Sequence, residues 1–398
     1  MTTPPTPAAP DLAAEPGSSA IAFVCEKETE ATVRAEFAAL GMSDARVTHG
    51  DIDQAIEVLG RERSPRLLIV DVSSEQEPAS KFARLAEFCD PSTTVIAVGD
   101  RNDVALYRNL KELGVAEYFY KPLVPELLAH ACASVSGTIP DAASLHVGRL
   151  VTVLGVRGGV GTTTIAVNAA WHLAEALKRR VVLLDLDLQG GDAAMLLNAE
   201  PHRALSEALK SPHRLDDLFV ERAVTRLSDR LDLLASLGPV GDAAMPDEGA
   251  VLALIARLQQ RYRYVVVDLP FWAAARFPRV MHLPATVLLV TDQTLVSARD
   301  VLRWKAQLGG EPIRVSPVVL VNKAHAPGAL TDEEFAAALG ESPEIAVPFQ
   351  PQIAEAGNLG LPAIAKSGPF RRGLAPLFQR LAGEPTQPRI SLLHRVFG

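Results

Sequence analysis

The chain has 398 residues, 48% of them hydrophobic and 22% charged, with a formal net charge of −8. That length supports two or three domains with their own cores, and the acidic balance argues against broad electrostatic binding to nucleic acid. Cys25, Cys89 and Cys132 show neither metal-ligand spacing nor a disulfide framework; with no membrane-length apolar run and no signal-peptide pattern, a cytoplasmic protein is expected.

Residues 1–18 are rich in proline and alanine without apolar periodicity, which predicts a disordered tail. From Ala20 on, the short apolar runs IAFVC, LLIVDV, TVIAV and EYFY alternate with segments of helical spacing such as Glu28 to Leu40 and Val104 to Leu113. Strands alternating with helices predict a parallel sheet covered on both faces, here over residues 19–135. A small-residue stretch, 136–147, reads as a linker. A second alternation follows over 148–382, with LVTVLGV, VVLLDLD, LDLLAS, YVVVDLP, TVLLVTD, PVVLVNK and EIAVPF as strands. The expected fold class is therefore α/β, with two doubly wound parallel-sheet domains.

The segment Val151 to Thr164, VTVLGVRGGVGTTT, joins a buried strand to the apolar-periodic helix Ile165 to Leu177. Gly155, Gly158, Gly159 and Gly161 let backbone N–H groups turn inward around an anion at a helix N-terminus. Phosphate loops of this kind carry a lysine and then a hydroxyl after the last glycine. Here those positions hold Thr162 and Thr163, and Arg157 lies inside the loop. Asp185 and Asp187 end the strand VVLLDLD, ahead of the turn Gln189 to Asp192, and Asp268 ends YVVVDLP. Acidic residues at strand carboxyl ends beside a phosphate loop are placed to hold Mg²⁺ and to orient a water.

RGGVGTTTIAVNAAWHLA resembles the deviant phosphate loop of the MinD/ParA ATPases. LLDLDLQGGD, YRYVVVDLP, TDQTLVSARDVLRW and VNK resemble further motifs of that family, in the same order. The RGG loop, the LDLDL strand and an upstream receiver-like domain together resemble the CpaE/TadZ proteins of Flp-type (Tad) pilus assembly. The resemblance implies ATP and Mg²⁺ as cofactors, bound by Gly155, Arg157, Gly158, Gly159, Val160, Gly161, Thr162, Thr163 and Thr164, with Asn322 at the base. It implies Thr163, Asp185 and Asp268 near the metal, Asp187 positioning the attacking water, and Arg157 reaching the phosphates of a second subunit. Phosphoryl transfer depends on positioning and electrostatics, so loss of the lysine at Thr162 predicts slow or negligible hydrolysis with binding retained. A homodimer acting as a localisation or scaffolding factor among pilus assembly proteins is the leading expectation. A cycling MinD/ParA-like ATPase that positions cargo at membrane or nucleoid is the alternative.

Residues 20–135 resemble the response-regulator receiver fold, which places Asp71 at the phosphate-accepting position and Lys121 beside it. The acidic pair of that fold falls on Cys25 and Glu26, and its switch hydroxyl on Gly99. One carboxylate and the hydroxyl are thus missing, and a pseudo-receiver that makes protein contacts is expected. The aromatics Phe271, Trp272 and Trp304 read as a partner surface or, alternatively, as fillers under a loop. The final segment 383–398 contains PRISLLHRVFG; as a helix, Ile390 to Phe397 is amphipathic and suits weak membrane contact.

Overall fold

The computed structural model describes residues 18–136, 148–201, 204–210, 217–238, 246–283, 285–310 and 316–382. The N-terminal tail over 1–17, the linker over 137–147 and the C-terminal segment 383–398, including Ile390 to Phe397, lie outside the described residues. The chain divides into two compact units, Met1–Leu145 and His146–Gly398.

In the first unit β1 (Ala20–Val24), α1 (Lys27–Ala39), β2 (Arg46–His49), α2 (Ile52–Leu59) and β3 (Leu67–Asp71) alternate. They continue through α3 (Pro78–Ala86), β4 (Thr94–Gly99), α4 (Val104–Leu113), β5 (Glu117–Tyr120) and α5 (Pro125–Ser136). The sheet is parallel throughout, in the order β2-β1-β3-β4-β5. β1 and β3 are buried along their whole length, as unbroken apolar runs in a doubly covered sheet should be. One hydrophobic cluster gathers Phe23, Val70 and Leu110, and another gathers Ala22, Ile69 and Leu128, so each face of the sheet has its own core. The edge strand β2 reads RVTH and is not buried, so no apolar run announces it. Asp51 and Asp103 cap α2 and α4 by accepting from backbone N–H groups of the first turn.

The second unit opens with β6 (Arg149–Gly155), α6 (Thr162–Glu175), β7 (Val181–Asp185), α7 (Ala193–Leu196), α8 (Ala204–Lys210) and α9 (Asp217–Ala223). There follow β8 (Thr225–Arg226), β9 (Leu231–Leu234), α10 (Glu248–Arg261), β10 (Tyr264–Leu269), α11 (Phe271–Ala274) and α12 (Pro278–Met281). The unit closes with β11 (Thr286–Thr291), α13 (Leu295–Leu308), β12 (Val318–Ala324), α14 (Asp332–Leu339), β13 (Ile345–Pro348), α15 (Pro351–Asn358), α16 (Ala363–Lys366) and α17 (Gly368–Ala382). The strand order is β13-β12-β11-β6-β10-β7-β9-β8, and among the described residues only β8 runs antiparallel to its neighbour. β6 is flanked by β10 on one side and β11 on the other, where the chain changes direction across the sheet. Ligands of open parallel sheets bind outside the strand carboxyl ends at such a reversal.

Candidate nucleotide site and receiver-like site

The phosphate loop occupies the sheet reversal. β6 ends at Gly155, Val156 donates its N–H to the Val290 carbonyl, and α6 starts at Thr162. Gly159 and Gly161 have φ of +82° and +90°, a region costly for side chains, and Gly161 is the N-cap of α6. A Cβ on Gly161 would also run into the side-chain amide of Asn322. A Cβ on Gly155 would run into Oγ1 of Thr162, so the Thr162 side chain turns back over the end of β6. Arg157, Gly158 and Gly159 are exposed, whereas Val160 is buried beneath them. Thr163 and Thr164 sit half-buried in the first turn of α6.

The acids gather at the same end. Asp185 and Asp268 are direct register partners on β7 and β10, and both are buried. Burial raises the Asp268 carboxyl to about 7, opposed by a hydrogen bond from Thr163 and assisted by the charges of Asp187 and Asp192. Burial, then the charge of Asp268, holds Asp185 well above the usual carboxylate range, against hydrogen bonds from the N–H groups of Asp187 and Ala193. Asp187 is half-buried, and its Oδ1 accepts from the N–H of Gly190 at 3.0 Å. No basic side chain bonds Asp185 or Asp268 among the described residues, and those residues contain no cluster of three or more His, Cys, Asp or Glu able to cage a metal. Two buried, uncompensated carboxylates and a threonine hydroxyl fit Mg²⁺, which takes few protein ligands and completes its shell with water and phosphate oxygens.

The far wall is the end of β12. Asn322 is buried and donates from Nδ2 to the Val160 carbonyl at 2.8 Å, while Lys323 donates from Nζ to the Gly159 carbonyl at 2.7 Å. Trp304 is half-buried under the loop and donates from Nε1 to the Val156 carbonyl at 3.3 Å. Phe271 and Trp272, on α11, are instead exposed. The loop, the acids and Asn322 thus converge at one end of one sheet. The Lys323 contact, which links residues 164 apart in sequence, is absent from the sequence reading.

Residues 146–230 match the ParA family model described as "NUBPL iron-transfer P-loop NTPase". The second unit has the fold of the ParA/MinD-type P-loop NTPases. The septum site-determining protein MinD of Synechocystis sp. is 27% identical over 175 residues, 43% of this chain and 64% of that protein. This chain spans 27% and 64% of the length of two curated relatives, under two thirds in each case. The crystal structure of a ParA family ATPase from Chlorobium tepidum shares the fold of the P-loop NTPase domain, with TM-score 0.52, 21% identity, and coverage of 60% of this chain and 99% of that one. The pilus assembly protein CpaE from Caulobacter crescentus matches 29% of this chain and 91% of that chain at 34% identity, with TM-score 0.27. Among the described residues, no helix is long and apolar enough to cross a membrane.

In the first unit, Asp71 ends β3 and is fully buried. Its Oδ2 accepts from Lys121 Nζ at 2.7 Å and from the Cys25 N–H at 3.0 Å. Oδ1 accepts from the Ser73 hydroxyl at 2.7 Å and the Ser73 N–H at 3.0 Å. Burial pushes the Asp71 carboxyl up, but these four bonds outweigh it and hold it below the usual range. Lys121 also pairs with Glu26 at 3.1 Å. Cys25 stands where a second acid is expected; burial, with the charge of Asp71 next, pushes its thiol up to about 11, so it adds no charge. At the switch position, a Cβ on Gly99 would lie 2.6 Å from the Tyr118 hydroxyl, which donates to the Arg101 carbonyl at 2.8 Å. The Tyr118 ring fills the space beside Gly99 and is 9% exposed.

Proposed function

We propose that the P-loop NTPase domain binds ATP with Mg²⁺, dimerises around it and hydrolyses it slowly or not at all, as a localisation or scaffolding factor in Flp-type (Tad) pilus assembly. The observation that carries the nucleotide reading is the convergence of a glycine-capped helix N-terminus with Thr163, Asp185 and Asp268. The loop N–H groups and Thr162 to Thr164 take the phosphates, Asn322 takes the base, and Thr163, Asp185 and Asp268 hold Mg²⁺ directly or through water. Bound Mg²⁺ supplies charge neutralisation at the phosphates. Thr162 brings no charge where a lysine would sit, and losing a close charge partner at a buried site costs about 2–5 kcal/mol. That loss falls hardest on the charge that develops during phosphoryl transfer. Arg157 is exposed on the loop, a position suited to reaching a second subunit's phosphates with its planar fork.

The pilus role rests on the RGG loop, the LDLDL strand and the receiver-like unit that precedes them. In that unit, Asp71 has both oxygens engaged and the switch position has no hydroxyl, which supports a protein-contact role over phosphorylation. A second reading, a cycling ATPase, is favoured by Asp187, a half-buried carboxylate at the ligand end. Calorimetric titration with ATP·Mg²⁺ tests binding, and phosphate release by wild type and Asp187→Ala separates the readings. Saturable binding with release near background is the expected result; turnover abolished by Asp187→Ala establishes the enzyme reading instead.

A further inference from the structure

A loop that turns its N–H groups inward must turn carbonyls outward, and these need partners of their own. Two consecutive carbonyls of this loop, Gly159 and Val160, are met by two consecutive side chains from β12, Lys323 and Asn322, at 2.7 and 2.8 Å. Both side chains stand at an irregularity of β12, whose register with β13 shifts between Val321 and Ala324. Lys323 and His325 adopt φ of +57° and +61°, a region side chains seldom occupy without a reason in the surrounding structure. That turn is itself braced. Buried Gln293 accepts from the His325 N–H at 2.7 Å and donates to Asp332 at 2.6 Å, and the His325 ring lies 3.1 Å from the same carboxylate.

We propose that Lys323 is a positioning residue of the phosphate cradle, holding the Gly159 carbonyl outward so that the loop N–H groups stay aimed at the ligand. It also places in cis, from a different strand, a cation at a loop whose own lysine position is Thr162. An ammonium has three donors, and the bond to Gly159 uses one of them. The side chain is exposed, so its removal leaves the core intact. The ligand class is a polyphosphate, and the inference rests on the nucleotide reading above.

The test uses the full chain with Lys323→Met and Lys323→Arg. Calorimetry is run with ATP·Mg²⁺ and with inorganic tripolyphosphate·Mg²⁺, and hydrogen exchange is followed at the Gly158 to Thr162 amides without ligand. The expected result is binding of both ligands weakened about tenfold in Lys323→Met, with faster exchange at the loop, and both restored in Lys323→Arg. Unchanged binding and exchange in Lys323→Met overturns the proposal while leaving the nucleotide reading in place. Weakening confined to ATP assigns Lys323 to the base and overturns it as well. A wild type that binds neither ligand defeats the nucleotide reading and this inference together.

Discussion

Thr162 is the residue on which the proposed slow hydrolysis turns, because its hydroxyl folds back over Gly155 and brings no charge to the loop. Thr162→Lys adds a charge-assisted contact to phosphate, and about tenfold tighter ATP·Mg²⁺ binding with increased phosphate release is expected. Unchanged titration and release would show that the loop makes no use of a lysine there. In the receiver-like unit the decisive residue is Asp71. Its folded carboxyl sits below the usual range despite burial, so its stabilising contribution is present above about pH 4 and lost as pH falls through the folded value. Lys121 is raised by Asp71 and Glu26 despite burial, so its contribution is full at neutral pH and lost only in strong alkali. Asp71→Asn leaves the buried ammonium short of a charge partner and should cost about 3 kcal/mol at pH 7. In urea unfolding, the gap between wild type and Asp71→Asn should shrink below pH 4; a gap that does not change with pH would refute the ion-pair account.

Among the elements, β4 and β5 meet at Gly99 and Tyr118, the place where the proposed pseudo-receiver lacks a switch hydroxyl. Gly99→Ser puts a side chain into space the Tyr118 ring already fills, an overpacking expected to cost about 1–3 kcal/mol. Adding Tyr118→Leu should recover part of that loss; a Gly99→Ser variant as stable as wild type would mean the ring moves freely. The same contact shows where sequence reading stops. Gly99 was legible as a missing hydroxyl, but its occupant is set by pairing across β4 and β5, which no local pattern encodes. Strands buried on both faces, such as VVLLDLD and YVVVDLP, were legible because burial leaves unbroken apolar runs. β2, with RVTH at an exposed edge, and the two-residue antiparallel β8 carry no such run. At the site, the glycines, Thr163 and the strand-end acids were legible from spacing, whereas the Lys323 contact depends on a backbone turn with positive φ. The aromatics divide: Trp304 fills space under the loop, while Phe271 and Trp272 stay exposed beside it.

For the whole molecule, two α/β units follow one another along the chain, one with its acidic site closed by its own lysine and the other with its acidic site uncompensated among the described residues. In the proposed function a divalent cation offsets Asp185 and Asp268 and bridges them to the polyphosphate, and the exposed Arg157 is the charge offered to a neighbouring copy. Light-scattering mass determination of the full chain with and without ATP·Mg²⁺, for wild type and Arg157→Ala, tests this most directly. The account predicts a nucleotide-dependent rise to twice the monomer mass in wild type that Arg157→Ala weakens. A wild type whose mass is the same in every condition would contradict it.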